Sequence, residues 1–239
     1  MGGGNRLIFE GKLNCVDKFG SFGGGKDKLL VRDDKDNKFI LKLGYSTGLI
    51  ESYGEVFASC LAKELNYNLP NCLVVERKYY EDFIDNEDIK FATLHDYFHD
   101  LILLRKLEER ELTTEEKDEI IFFNILTNKL DHIKLNNKKD NYSRDVFFRI
   151  KDGDYWLIDY DYARPFRRLK KVNKIRLKEL LNKNNIENKI SLLFDLNIHN
   201  FIEKFYNLPD DFEELGENNT FEETKFRLES IKEFIKEGV

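Results

Sequence analysis

Asn128-Lys129-Leu130-Asp131-His132-Ile133-Lys134-Leu135-Asn136-Asn137 opens the stretch from which the rest of the 239-residue chain can be read. It continues through Val146-Phe147-Phe148-Arg149-Ile150 and Tyr155-Trp156-Leu157-Ile158 to Asp159-Tyr160-Asp161-Tyr162 and Arg164. Asp131 is followed five positions later by Asn136, and a pair of apolar, strand-like runs delivers another carboxylate at its end. Singly, Asp131 and His132 read as helix C-terminal residues and Asn136-Asn137 as a turn. Together they supply what phosphoryl transfer needs. Asp131 would orient the proton of an attacking hydroxyl, Asn136 would offer its amide oxygen to Mg²⁺, and Asp159 would take the metal that bridges the phosphates. His132 would support this loop by a hydrogen bond, since no second His or Cys lies at zinc-ligand spacing. Asp161 shares the strand face of Asp159 and competes for the metal; Asp159, next to the buried run, is preferred and Asp161 is kept as a second ligand.

A hundred residues upstream lies a glycine-rich loop, Phe19-Gly20-Ser21-Phe22-Gly23-Gly24-Gly25-Lys26. Gly20 to Lys26 nearly spells a Walker A motif, but Asp27 stands where Ser or Thr should ligand Mg²⁺. The loop also precedes a hairpin, Lys28-Leu29-Leu30-Val31-Arg32 and Phe39-Ile40-Leu41-Lys42-Leu43 around a polar Asp/Asn/Lys cluster, and not a helix. A Walker ATPase is therefore disfavoured. A glycine loop between strands, covering nucleotide phosphates with its backbone N–H groups, fits better, with Gly20, Ser21, Gly23, Gly24 and Gly25 as the contacts; taken by itself, the cluster reads equally well as a flexible turn with no ligand.

Lys42 is the one charged residue inside its apolar strand, on a face with Ile40. It reads either as an edge-strand lysine reaching water or as a buried cation that needs an anion. The helix expected from Gly48 to Leu65 carries Glu55 beside its apolar stripe. A Lys42–Glu55 ion pair would orient the lysine toward phosphates, with Glu51, one turn earlier, the competing partner.

The composition agrees with a folded protein: 41% of residues are hydrophobic, and the net charge is −6 with many charges of both signs. That balance argues against a dedicated nucleic-acid binder. Cys15, Cys60 and Cys72 are an odd number without CxxC spacing, which points away from a disulfide framework and toward a reducing cytoplasm. No apolar run reaches the ~20 residues of a membrane span, and Met1 to Arg6 lacks the apolar core of a signal peptide. A cytoplasmic protein is expected, with secretion as an effector left open.

Residues 72 to 80 and 89 to 94 read as strands, and the second leads into Asp96-Tyr97-Phe98; in a two-lobed kinase the chain would cross between the lobes about here, and the sequence does not fix which residues would read the adenine. Two helices are expected next, the second opening on the capping box Thr113-Thr114-Glu115-Glu116. Helical periods then run over roughly 174 to 183, 186 to 206 and 220 to 237.

The glycine loop, Lys42 in a strand, Glu55 in the next helix, the run Asn128 to Asn136 and a strand ending Leu157-Ile158-Asp159 resemble the HipA-like kinases, over roughly residues 19 to 164. These are atypical serine/threonine kinases, related in layout to phosphoinositide-kinase-like enzymes. Asn128, Asp131 and Asn136 match the family's catalytic loop in type, but the interval from Asn to Asp is one residue longer than in many members. The resemblance is to short members without the N-terminal subdomain that contacts antitoxin. It implies an α+β, two-lobed protein-kinase-like fold: a small β-rich N-lobe with one main helix over 1–95, and a mostly helical C-lobe over 96–239. It implies ATP and Mg²⁺ as cofactors, a protein or small-molecule hydroxyl as acceptor, and a cognate regulator or antitoxin as partner. Members can autophosphorylate a serine of the glycine loop, and Ser21 is the only serine there. A small-molecule or lipid kinase, and a nucleotide-binding pseudokinase or interaction module, remain competing readings.

Overall fold

The computed structural model describes residues 7–19, 28–45, 49–84, 89–103, 106–107, 111–129, 146–160, 163–183, 186–209 and 212–238. In its first half, β1 (Leu13–Phe19), β2 (Lys28–Asp33), β3 (Lys38–Tyr45), β4 (Cys72–Val75) and β5 (Ile89–Asp96) form an antiparallel sheet in the order β1-β2-β3-β5-β4. The β2–β3 hairpin closes on Asp33, whose carboxylate accepts from the backbone N–H groups of Lys35 and Asn37, both at 2.9 Å. Asp36 takes the left-handed conformation (φ 65°) that such a turn requires and that Asp tolerates.

Strand alternation then sorts the side chains onto two faces. Leu29, Leu41 and Leu94 lie in register on the outer face, in a small core with Val31, Phe9 and Tyr80. On the inner face one row runs Lys28, Lys42, Thr93, Val74, and the next Leu30, Ile40, His95, Cys72.

The strand expected over residues 72 to 80 ends at Val75. The chain then makes two short 3₁₀ turns, Arg77–Tyr79 and Glu81–Phe83, which fold the buried Tyr80 back over the outer face. Tyr79 meets the Phe9 ring edge-on at 5.9 Å. Tyr79 and Tyr80 thereby join Leu73 and Val75 in the small outer-face core.

Helix α1 (Leu49–Glu64) lies against the inner face and belongs to the main core. Tyr53 and Phe57 pack edge-on or tilted against Phe205, Phe201 and Phe221, with centroids 5.4–6.0 Å apart. One helix thus carries both the sheet and the helical half of the molecule.

The second half opens with β6 (Leu101–Leu103), where a helix was expected. It pairs with β7 (Val146–Arg149), which pairs with β8 (Tyr155–Leu157). The Asp100–Arg149 ion pair, 3.1 Å, anchors that register. Helix α2 (Thr114–Thr127) starts on the expected box: Glu116 N–H donates to Thr113 Oγ1 at 3.1 Å and Thr113 N–H to Glu116 Oε2 at 2.8 Å.

The helices α3 (Lys171–Leu181), α4 (Glu187–Asp195), α5 (Ile198–Glu203), α6 (Glu213–Glu217) and α7 (Thr220–Gly238) complete the described chain. The single helix expected over 186 to 206 is broken at Leu196-Asn197, because the Asn197 side chain accepts from Asn200 N–H at 3.1 Å and starts a new helix. Arg227 of α7 is buried and donates to Ile125 O, a carbonyl in the last turn of α2, and to Arg167 O in the turn before α3, placing a cation at the C-terminal end of α2. Burial lowers its pKa to about 10.

Candidate active site

Lys42 projects from the inner face of β3, and its ammonium sits between two carboxylates. It bonds Glu55 Oε1 of α1 and, at 2.9 Å, Asp159 Oδ1 from the turn after β8. The Glu55 side chain is 1% exposed and that of Lys42 9%, while that of Asp159 is 36% exposed. Burial by itself would discharge Lys42, but Glu55 and then Asp159 outweigh it and hold the ammonium well above its ordinary value. Burial would likewise raise Asp159, yet Lys42 and Lys28 bring it down to about 2. Lys42 and Asp159 are therefore both ionised at neutral pH, and the triad they make with Glu55 has an accessible carboxylate at its outer end.

The second oxygen of Glu55 accepts from Thr93 Oγ1 at 3.1 Å and lies 3.3 Å from His95 Nε2. His95 also contacts Thr93 Oγ1 at 3.0 Å and Cys72 Sγ at 3.6 Å. Burial, opposed by Glu55, lowers the His95 pKa, so the ring is neutral at physiological pH.

Asp159 owes its position to backbone geometry. It takes φ 63°, a left-handed conformation that costs a non-glycine residue roughly 1–3 kcal/mol unless its surroundings hold it. Lys129 does so: its ammonium, in a residue 2% exposed, donates to Ile158 O at 3.1 Å and Asp159 O at 2.6 Å and lies 4.1 Å above the Tyr160 ring. Lys129 follows Asn128, the left-handed C-cap of α2 (φ 55°), whose side chain donates to Arg164 O at 3.1 Å. Tyr160 in turn donates to Asn124 Oδ1 at 2.8 Å. The end of α2 and the turn bearing Asp159 are thereby one hydrogen-bonded body.

The triad borders a cavity of about 280 Å³ between the two sheets. Ile40, Leu101, Phe147 and Ile158 give it apolar walls, Lys28, Lys42 and Asp159 line its charged end, and Asp96-Tyr97-Phe98 run along one side. A flat apolar base against those walls, with phosphates toward Lys28 and Lys42, matches this distribution of chemistry. Asp159 supplies the hard oxygen that Mg²⁺ prefers. The residues present thus fit a nucleotide and a divalent metal.

Of the predicted site residues, Lys42, Glu55 and Asp159 meet here, and Glu55, not Glu51, takes the lysine. Gly20, Ser21, Gly23, Gly24, Gly25, Asp131, His132, Asn136 and Asp161 lie outside the described residues. The glycine segment joins Phe19 to Lys28, which are paired across β1 and β2, and Lys28 lines the cavity. Lys28, Thr93, His95 and Lys129 were missed. The signal for the first three is alternation: each is a polar residue on the inner-face rows of Lys42 or Ile40. Lys129 carries no such signal, since a lysine after a helix ordinarily just caps carbonyls.

No family model matches the sequence, and no curated protein matches it. Solved structures do resemble it. The proinflammatory kinase CtkA of Helicobacter pylori superposes with a TM-score of 0.50 at 12% identity, over 97% of this chain and 98% of that one. The Golgi casein kinase gives 0.52 at 10% identity, over 96% and 72%. The same kinase with Mn/ADP bound gives 0.51 at 10% identity, over 96% and 74%. The chain therefore has an α+β, protein-kinase-like fold, with a small antiparallel N-lobe sheet and a helical C-lobe. At these identities the likeness is one of fold.

Proposed function

We propose that this chain is an ATP- and Mg²⁺-dependent phosphotransferase, in the first instance a HipA-like serine/threonine protein kinase able to phosphorylate itself. The observation that carries the reading is the Lys42 ammonium held between Glu55 and Asp159 at the charged end of an apolar cavity. Two supports stand beside it: the sequence resemblance to the HipA-like kinases, and the kinase fold shared with a protein crystallised with Mn/ADP.

Glu55 fixes the direction of Lys42, so that the ammonium meets a phosphate oxygen without reorganising. Asp159 would hold the divalent ion, which supplies neutralisation of charge on the phosphates. Asn136 is proposed as the second oxygen donor, with Asp161 in reserve. Asp131 is proposed to accept the hydroxyl proton of the acceptor, and His132 to steady its loop. Gly20, Ser21, Gly23, Gly24 and Gly25 are proposed to cover the phosphates, with Ser21 the first acceptor in autophosphorylation.

The test is incubation with Mg²⁺ and labelled ATP, with mass spectrometry of the protein and of candidate protein, lipid and metabolite acceptors. Transfer to a serine that disappears in Asp131→Ala supports the proposal. Transfer only to a small molecule or lipid moves the reading to those kinases. Thermal stabilisation by Mg-ATP without transfer makes the chain a pseudokinase, and neither stabilisation nor transfer overturns nucleotide chemistry altogether.

A further inference from the structure

Behind Lys42, at the inner wall of the cavity, three chemically different ligand atoms converge. Cys72 of β4 and His95 of β5 are directly opposed cross-strand partners, and α1 lays Glu55 over the pair. Cys72 Sγ, His95 Nε2 and a Glu55 carboxylate oxygen all lie within 4.8 Å of one another. Sulfur and nitrogen are 3.6 Å apart, nitrogen and oxygen 3.3 Å.

Those separations have a specific meaning. Zinc bonds run about 2.3 Å to thiolate and about 2.0–2.1 Å to imidazole and carboxylate. At the tetrahedral angle they set sulfur and nitrogen about 3.6 Å apart and nitrogen and oxygen about 3.3 Å apart. From these contacts we infer that Cys72, His95 and Glu55 form a binding site for a soft divalent cation such as Zn²⁺. All three residues line the cavity, so water or a ligand from it could complete the coordination.

The supporting chemistry agrees. His95 would bind through Nε2, the nitrogen that faces Cys72 and Glu55, with its proton on Nδ1. Thr93 Oγ1 already donates to Glu55 Oε2 and so orients a ligating carboxylate. Binding replaces the thiol proton, released to solvent, by a doubly charged ion. Lys42 with Glu55 and Asp159 carries a net charge of −1, so thiolate and cation together bring the group to zero. A metal on Oε2 also withdraws negative charge from the carboxylate that restrains Lys42. Occupancy would thus loosen the ammonium from Glu55 and depress phosphotransfer; this consequence alone rests on the function proposed above.

The experiment is a titration of the whole chain with Co²⁺ under reducing, anaerobic conditions, read by its thiolate-to-cobalt charge-transfer absorption. Expected is a band that saturates at one equivalent, is displaced by Zn²⁺, is lost in Cys72→Ser and persists in Cys15→Ser and Cys60→Ser. His95→Ala should weaken the affinity at least tenfold. No band in the wild-type protein overturns the site whatever the variants do, and so does a band that survives Cys72→Ser. Loss of nucleotide labelling with an intact cobalt band removes the kinase reading and leaves the metal site standing. An intact cobalt band with labelling indifferent to one equivalent of Zn²⁺ removes the inhibitory consequence only.

Discussion

Gly54 lies so close to Ala163 that a Cβ placed on it would stand 2.6 Å from the Ala163 carbonyl oxygen and 3.2 Å from the Tyr160 carbonyl. This contact docks α1 onto the segment that follows Asp159, one residue from Glu55. The helix carrying one carboxylate of the triad is thus seated directly on the turn carrying the other.

Gly54→Ala tests that seating. In an isolated helix the substitution would stabilise by about 1 kcal/mol. Here the obstacle is backbone, which cannot rotate away, and overpacking of this kind costs about 1–3 kcal/mol. The expected outcome is a net loss of stability in urea unfolding, with weaker binding of Mg-ATP; a gain of stability would show that α1 and the turn are not in contact.

Removing the central cation should expose its structural role and its chemical one separately. Lys42→Met leaves Glu55 buried without the ammonium, and breaking such a pair costs about 3–5 kcal/mol. The double variant Lys42→Met/Glu55→Gln should recover much of that loss. Under the proposed function, its phosphotransfer should stay down by on the order of 10²-fold. Recovery of activity together with stability would contradict the role given to Lys42.

Lys129→Met removes the donor to the Ile158 and Asp159 carbonyls while keeping an apolar stem over Tyr160. Loss of a charged donor to two buried carbonyls should cost about 1–3 kcal/mol. Under the proposed function Lys129 acts through Asp159, and more Mg²⁺ should then be needed for half-maximal binding of ATP. An unchanged Mg²⁺ dependence would leave Lys129 a merely structural residue.

The pH dependence follows from the signs of two shifts. Asp159 lies near 2 in the folded state against about 3.9 unfolded, so its contribution is present above about 4 and lost as pH falls toward 2. His95 is shifted the other way relative to its charged form: the unfolded ring protonates near 6.5 and the folded one lower. Its burial therefore begins to cost stability as pH drops below about 6.5. Unfolding free energy measured from pH 7 to 3 should fall in both windows. The upper step should vanish in His95→Gln and the lower one shrink in Asp159→Asn; a flat profile in the wild type would contradict both.

The β2–β3 hairpin, the start of α2 and the β7–β8 pair were legible in the residues, because turn chemistry, capping and period-2 alternation act over a few positions. Tyr80 and Asn197 show where that reach ends. Tyr80 leaves the strand because rings must cover the outer face of the sheet, and Asn197 splits a helix because its side chain competes for an amide. Leu101–Leu103 became a strand because β7, more than 40 residues later, offered it an edge.

By itself the sequence determined the kinds of groups available: an isolated lysine in an apolar strand, an acidic residue beside a helix stripe, and a carboxylate at the end of a hairpin. Only the tertiary structure decided that Lys42 meets Glu55 and Asp159, the latter 117 residues away, and that Lys129, Thr93 and His95 hold those partners in place. Periodicity specifies which face a side chain takes, whereas an ion pair needs two faces brought within a few ångströms. That is set by strand register, by the close approach at Gly54 and by a left-handed turn.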